Sequence, residues 1–517
     1  MNKKYRQKLF THLQGIVLAP ILNAFFESTI LKKHILKNSI CLNDLKNENV
    51  NMGYINVALR ILKSSNYLDF VSKGNEYEHS YIFNDNFKHA YKNKEIFKKF
   101  SRLLDYNSQF EDNENTEKFI LLINECLDTL NNLKIDKEDV LFIQRIEGIL
   151  IGPILNNLGF LNYLDNFNSE NFVLKNLNEN LRSTIDTVLI EANIITLKNE
   201  NYIVTEEGQY FLSRVSSYGV TCSYIPTLSK MNQLLFDDCT FIWKKNDLNN
   251  EIHVNRSMNV WGSGGSHKVY FKKIDTMIKK IFNSPLNNQP KAIIDVGCGD
   301  GTFLEHAYKI VKEETLRGKN LKEMPLNIIG VDINKAARIA SRKKLNNAKI
   351  DNIIINGSIN DPHEINNNLK EQFNIELSDC LNMRTFLDHN RIFKKPKKMI
   401  HKNIKSDGSF CYKGKLITND EIINNLIEHF SNWAPYIHNY GLILLELHTI
   451  PSKNIKENLL DTPAIAYDAT HGFSDQYLVE HKVFEECLIK SGLKLSLEYQ
   501  TLFPDKKNPT ISINFIK

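Results

Sequence analysis

At 517 residues the chain is longer than one compact core accommodates, so two or three domains are expected. With 42% hydrophobic and 24% charged residues it is globular rather than disordered or fibrous, and a formal charge of +5 is too small at this length to argue for a nucleic-acid surface. Eight scattered cysteines with no C-x-x-C suggest neither a disulfide framework nor a thiolate zinc site and fit a reducing cytoplasm, and neither a signal-peptide pattern nor an uninterrupted apolar run near the roughly 18 residues of a membrane span is present.

The N-terminal region carries an internal repeat. Leu13-Gln14-Gly15-Ile16 through Pro20-Ile21-Leu22-Asn23 matches Ile146-Glu147-Gly148-Ile149 through Pro153-Ile154-Leu155-Asn156 at an offset of 133 residues. In each copy the motif helix is followed by a second helix and then a short hairpin-like stretch, Tyr67-Leu68-Asp69-Phe70 in the first and Ile194-Ile195-Thr196 with Tyr202-Ile203-Val204-Thr205 in the second. The pattern predicts two winged-helix-like units, 1–90 and 141–217, joined by a polar helical connector, 91–140. Winged helices often bind DNA, but the second helices, near Asn51–Val57 and Leu181–Asp186, are poor in basic residues, and phosphate contacts dominate DNA affinity.

From 218 to 285 the pattern turns irregular, and Asn255-Arg256-Ser257-Met258-Asn259-Val260-Trp261-Gly262-Ser263-Gly264-Gly265-Ser266-His267 predicts a loop, either an active-site lid or a linker. From 286 to the end strands and helices alternate, as in a doubly wound α/β sheet. Strands are expected at Lys291–Val296, Asn327–Asp332, Asn352–Ile355, Leu377–Arg384 and Leu442–Leu447, with a closing antiparallel hairpin of Lys494–Tyr499 and Thr510–Ile516.

The first of these strands runs into D-V-G-C-G-D-G. Gly297, Gly299 and Gly301 permit a tight turn and close ligand approach, Asp295 can meet a cationic group, and Asp332, ending the second strand, can take the hydroxyls of a ribose. The spacing is one residue short of the dinucleotide fingerprint, which ranks that reading lower. The combination resembles class I S-adenosylmethionine-dependent methyltransferases, which implies a Rossmann-like core of seven strands, the methionine moiety at Asp295, Gly297, Gly299 and Gly301, the ribose at Asp332, and Ser358 and Ile359 against the adenine.

Ligands of open α/β sheets bind at the carboxyl ends of strands. There the sequence offers Asp388, His389 and Arg391 after the fourth strand, Glu446 and His448 at the fifth, and Asp468, His471, Asp475 and Gln476 beyond it, of which the three histidines with Asp388, Asp468, Asp475 and Gln476 can converge on one pocket. Any of the three histidines has the pKa of a general base, Arg391 can grip a substrate carboxylate, and His448 with Gln476, with or without His471, can hold a Lewis-acidic ion.

M-R-T-F-L-D-H-N-R, G-L-I-L-L-E-L-H-T and H-G-F-S-D-Q-Y, with the earlier N-R-S-M-N-V-W-G-S-G-G-S-H, resemble the metal-dependent C-methyltransferase domains of polyketide synthases of the apratoxin starter-module type. The resemblance implies a mononuclear iron or manganese ion on His448 and Gln476, His389 or His471 as base, and a small-molecule or acyl-carrier-protein-bound substrate. It makes the winged-helix-like units a dimerisation element, giving a homodimer, or a cover for the substrate, with no nucleic acid or membrane partner. The alternatives are O-methylation by a histidine base without metal, and a DNA-binding regulator that keeps a methyltransferase-like ligand domain.

Overall fold

The computed structural model describes residues 2–106, 110, 113–164, 172–247 and 251–517. Part of the expected connector, 107–109 and 111–112, lies outside the described residues, as do the side chains of 265–268. The chain forms two compact units. The first comprises Met1–Gly265 with Ser409–Ile417 and Ser452–Asp475, and the second comprises Ser266–Gly408, Thr418–Pro451 and Gln476–Lys517.

In the first unit the repeat is visible as two long helices, Asn2–Glu27 and Val140–Phe160, packed against each other through their shared motif. Each copy then supplies a helix and a wing. In the first copy the Met52–Ser64 helix is followed by Leu68–Val71 and Ser80–Phe83, and a third strand, Ser39–Cys41, joins the latter in an antiparallel sheet. In the second, Glu179–Glu191 leads into the hairpin Ile195–Lys198 and Asn201–Val204. Its two turn residues, Asn199 and Glu200, both have positive φ, 48° and 64°, as a two-residue type I′ turn demands. The Met52–Ser64 helix is buried over nearly its whole length, including Arg60, which is ion-paired with Asp468. The Asn2–Glu27 helix contains a stretch long and apolar enough to cross a membrane by length and composition, but 83% of that window is buried within the protein.

The expected loop around Trp261 is instead part of a helix, Arg256–Phe282. Its glycines serve packing. A Cβ on Gly262 would stand 2.7 Å from the Gly219 Cα, and Trp261 meets Phe160 edge-on with ring centroids 5.6 Å apart. Local propensity argued for a loop; the close approach of two backbones, which only glycine permits, decided for a helix.

The second unit holds a seven-stranded sheet: β1 (Ala292–Val296), β2 (Asn327–Val331), β3 (Asn352–Ile355), β4 (Cys380–Thr385), β5 (Leu442–Leu447), β6 (Thr501–Phe503) and β7 (Ile511–Ile516). The strand order is β6-β7-β5-β4-β1-β2-β3, parallel from β5 to β3 and antiparallel where β7 joins β5 and β6. Every residue of β1, β5 and β7 is buried, which is why these strands read as nearly continuous apolar runs. The first five strands fall within two or three residues of their expected bounds. In the closing hairpin the second strand does so too, but the first does not: β6 is Thr501–Phe503, while Leu497–Tyr499 is a 3₁₀ turn and Leu495 makes a single bridge to Ile516. The Leu493–Tyr499 stretch has strand periodicity, but the hairpin register is set where Thr510 N–H donates to Phe503 O at 2.8 Å.

Candidate active site

The site is built in the second unit, at the carboxyl ends of β1 to β5. Asp295, in β1, is 1% exposed and its Oδ1 has no hydrogen-bond partner. Burial, with the Asp332 charge adding to it, pushes its carboxyl up to about 8. Gly297, Gly299 and Gly301 all have positive φ, 82°, 53° and 81°, so each occupies backbone space that a side chain would strain. A Cβ on Gly297 would strike Leu387 and one on Gly301 would strike Ser341, whereas Gly299 faces open space on that side. Asp332 fixes the loop: its Oδ2 accepts from Gly299 N–H at 3.1 Å and its Oδ1 from Asn334 N–H at 2.8 Å.

These features fit S-adenosylmethionine on the observed atoms. A buried carboxylate without a partner is costly unless a cation meets it, and the ligand carries sulfonium and ammonium charges. Asp295, the three glycines and Asp332 would hold it. Ser358 Oγ accepts from Asn360 N–H at 3.2 Å and the Ile359 carbonyl accepts from Trp433 Nε1 at 2.8 Å, so this turn presents shape more than spare hydrogen bonds. Ile333, beside Asp332, is 63% exposed, an apolar surface that the sequence reading missed; its signal was an isoleucine between the acid and a helix cap.

The turn after β4 presents His389. Its Nδ1 lies 2.5 Å from Glu446 Oε1, and Glu446 Oε2 accepts from the His389 backbone N–H at 3.2 Å. Both side chains are buried. Tyr477 N–H donates to His389 O at 2.8 Å, fixing the turn from the far side. A carboxylate on Nδ1 sets the tautomer and supports positive charge on the ring, which is the arrangement of an oriented general base. Glu446 was not assigned a role from sequence, although one acid inside L-I-L-L-E-L is itself a flag.

Asp388, just before His389, anchors the turn from below. Its Oδ1 meets Arg384 Nη1 at 2.7 Å and His429 Nε2 at 2.8 Å, and Arg384 stacks over Trp433. Arg391, expected to grip a substrate carboxylate, is 2% exposed and largely committed to the protein: Nε donates to Asn425 Oδ1 at 2.7 Å and Nη1 to the Asp388 carbonyl at 2.9 Å. These bonds brace the turn that carries His389, while Arg391 Nη2 is buried without a hydrogen-bond partner.

His448 is 1% exposed, with Nε2 2.7 Å from Ser512 Oγ and Nδ1 without a hydrogen-bond partner. Burial lowers its pKa well below the imidazole range, His481 adds to the lowering and the Val479 backbone opposes it. An imidazole with one ring nitrogen tied to a hydroxyl can offer the other to an ion. Gln476 is buried in the same unit. No group of three or more His, Cys, Asp or Glu gathered for an ion occurs among the described residues, and a centre with two protein ligands, one of them Gln, falls below that size.

Of the three histidines, His389 and His448 belong to the second unit. His471 belongs to the first unit, on the Ala464–Gly472 helix, with Nδ1 2.8 Å from the Tyr467 carbonyl and 3.1 Å from Thr470 Oγ1. Asp468 pairs there with Arg60, and Asp475 accepts from Tyr54 Oη at 2.9 Å and Lys413 N–H at 3.0 Å. Nothing local in the sequence shows that 452–475 packs with the N-terminal helices.

Comparison with known proteins places the chain. The AprA MT2-like domain matches residues 251–514, the AprA winged helix domain 147–238 and the AprA N-terminal domain 5–70. No curated protein matches. Among solved structures, an O-methyltransferase family protein from Burkholderia thailandensis is similar at 11% identity over 71% of this chain and 94% of its own, with a TM-score of 0.39. The CurJ carbon methyltransferase is similar at 11% over 78% and 97%, TM-score 0.33, and the pyocyanin biosynthetic protein PhzM at 11% over 73% and 98%, TM-score 0.39. The first of these family matches spans just over half of the chain, and with the cofactor loop and seven-stranded sheet described above, the chain belongs to the AprA MT2-like family of S-adenosylmethionine-dependent methyltransferases.

Proposed function

We propose that this enzyme methylates the acidic carbon beside the carbonyl of an acyl thioester in natural-product biosynthesis, acting in the cytoplasm. The observation that carries the reading is the His389–Glu446 pair, Nδ1 to Oε1 at 2.5 Å. When bound, S-adenosylmethionine supplies the methyl group, its S–CH₃ bond breaking as the new C–C bond forms and the sulfonium becoming a neutral thioether. His389 takes the proton from the substrate carbon at Nε2, and Glu446 stabilises the imidazolium that results. The burial of both side chains keeps water from competing for that proton. An iron or manganese ion held by His448 and Gln476 would polarise the thioester carbonyl and so acidify the carbon.

The same His389–Glu446 pair would serve O-methylation of a phenol or acid, since a base oriented by a carboxylate takes a proton from oxygen equally well. The test is incubation of the full chain with S-adenosylmethionine and malonyl-pantetheine, with and without added Fe(II) or Mn(II), beside elemental analysis of wild type and His448→Ala. A product 14 mass units heavier with the new methyl on carbon, formed about 10³-fold more slowly by His389→Ala, is expected. Methylation of phenols with no reaction of any thioester would overturn the carbon reading, and full thioester turnover by metal-stripped protein would remove the ion from it.

A further inference from the structure

Directly after the catalytic turn the chain runs from Ile392 to Gly408 without helix or strand, and between 394 and 405 it carries Lys394, Lys395, Lys397, Lys398, Lys402 and Lys405 with no Asp or Glu. Six positive charges within twelve residues exceed the net charge of the whole chain, +5. All six lysines are exposed. Among the described residues only two of the six are paired, Lys395 with Glu421 at 4.0 Å and Lys405 with Asp420 at 2.6 Å.

A long structureless basic loop is most often a solvated tail, but this one is held in shape. The Asn419–Ile437 helix spends a stripe of side chains on the loop's backbone. Asn419 exchanges two hydrogen bonds with Ser406, both 2.7 Å. Asn424 accepts from the N–H groups of Ile400 and His401 and donates to the His401 carbonyl. Asn425 donates to the Lys394 carbonyl at 2.7 Å, and Glu428 Oε1 accepts from the N–H groups of Lys397 and Lys398. From the other side Glu480 takes Ser406 Oγ and Asp407 N–H. With the backbone satisfied inward, the lysine side chains are presented outward. Glu428 is engaged by backbone N–H groups rather than by a lysine head.

The loop is also coupled to the chemistry. Asn425 holds Arg391 of the catalytic turn as well as Lys394 O, Ile392 exchanges two hydrogen bonds with Asn360 beside the cofactor turn, and Phe393 packs on Tyr477, whose N–H holds His389. Long ordered loops without secondary structure are usually functional. Ile392, 50% exposed, and Ile400, 70% exposed, put apolar contacts among the lysines. A nucleic-acid backbone makes little use of those, whereas an acidic amphipathic helix uses both.

We propose that the 392–408 loop is the docking surface for an acidic acyl-carrier protein that delivers the thioester to His389. This rests on the acyl-thioester reading above. Steering by such a surface is salt-dependent and is lost when its charges are reversed.

The experiment is fluorescence anisotropy of a labelled acidic carrier protein, with malonyl on its phosphopantetheine, against the full chain at about 20 mM and about 200 mM salt. A second readout is turnover of malonyl-pantetheine. The Lys394→Glu/Lys395→Glu/Lys397→Glu/Lys398→Glu variant is expected to bind the carrier at least about tenfold more weakly at low salt, with cofactor affinity and malonyl-pantetheine turnover changed less than about twofold. A Lys→Gln set at the same four positions gives an intermediate loss and guards against misfolding of the reversed variant. Carrier affinity indifferent to both sets overturns the surface, even if malonyl-pantetheine is turned over and the function stands. Carrier binding lost through these lysines, with no thioester methylated, keeps the surface and sinks the acyl-thioester reading. A short DNA duplex bound more tightly than the carrier, through the same lysines, also overturns the proposal.

Discussion

Gly15 sits against the backbone of Arg145 so closely that a Cβ on it would stand 1.8 Å from the Arg145 carbonyl oxygen. Its repeat partner, Gly148, meets the His12 backbone in the same way, with Cβ contacts of 2.3 Å and 2.5 Å. Around this crossing the repeat is pseudo-symmetric, Arg145 gripping Gln14 at 2.9 Å and His12 facing Glu147 at 3.9 Å. The duplicated motif therefore pairs with itself, and its glycines exist to let two helix backbones touch.

Gly15→Ala and Gly148→Ala should each destabilise the first unit by about 1–3 kcal/mol, because backbone rather than a yielding side chain meets the new methyl. Gly264→Ala, also helical but with nothing within 4 Å of its Cβ, is the control and should be neutral or stabilising by up to about 1 kcal/mol. Thermal scans followed by a probe in the first unit measure all three. Equal melting temperatures for Gly15→Ala and Gly264→Ala would remove the crossing from the account.

In the proposed reaction Glu446 acts only through His389, which it meets at Nδ1. Glu446→Gln should lower kcat by about 10²-fold and His389→Ala by about 10³-fold, within the range of general-base effects. The double variant should be no slower than His389→Ala, since the carboxylate has nothing left to orient. Cofactor binding by calorimetry should be unchanged in all three. Additive losses in the double variant would show that Glu446 works elsewhere.

The parts of this molecule legible in the sequence are those whose cause is local. Gly297, Gly299 and Gly301 sit between an apolar strand and a helix, and that order alone states a tight turn with ligand access. The repeat around Gly15 and Gly148 was equally readable, because the motif is long. Trp261 and Gly262 misled because their helix is fixed by Gly219, 43 positions earlier. Glu446 and His389 stand 57 positions apart, and only the sheet, which aligns β4 with β5 in parallel, brings them together. The same holds for 452–475, whose place in the first unit depends on Arg60 and Tyr54.

Asp388 offers a test of the turn's foundation. Burial opposes its ionisation, but Arg384 and His429 on one oxygen prevail and hold the carboxyl down at about 2. A depressed carboxylate contributes stability that is present above its unfolded value of 3.8 and lost as pH falls towards about 2. Asp388→Asn leaves the fully buried Arg384 without its counter-charge and should cost about 3–5 kcal/mol. Arg384→Met with Asp388→Leu should cost less than Asp388→Asn alone, since no unpaired charge remains. Unfolding of the second unit as a function of pH decides it, and a double variant worse than the single would mean the pair is worth more than its desolvation.

Asp295 carries the opposite sign. Its carboxyl is pushed up to about 8 in the folded protein, against 3.8 for an ordinary aspartate. Between those values the unfolded chain gives up the proton while the folded protein keeps it, so stability from this residue falls as pH rises from about 4 to about 8. Asparagine resembles the protonated acid and does not titrate. Asp295→Asn should therefore match wild-type stability near pH 4 and exceed it by a margin that widens up to about pH 8. The cofactor reverses the preference, because its positive charges favour the ionised carboxylate. At pH 7 binding to wild type should release a proton from Asp295, seen as a calorimetric enthalpy that varies with the ionisation enthalpy of the buffer. Asp295→Asn should lose that variation and bind S-adenosylmethionine about ten- to a hundredfold more weakly, the range for a hydrogen bond to a charged group. A variant more stable and poorer at binding would show that the fold tolerates an unpaired buried acid in order to meet its cofactor. Unchanged affinity with unchanged buffer dependence would mean the methionine moiety is held elsewhere.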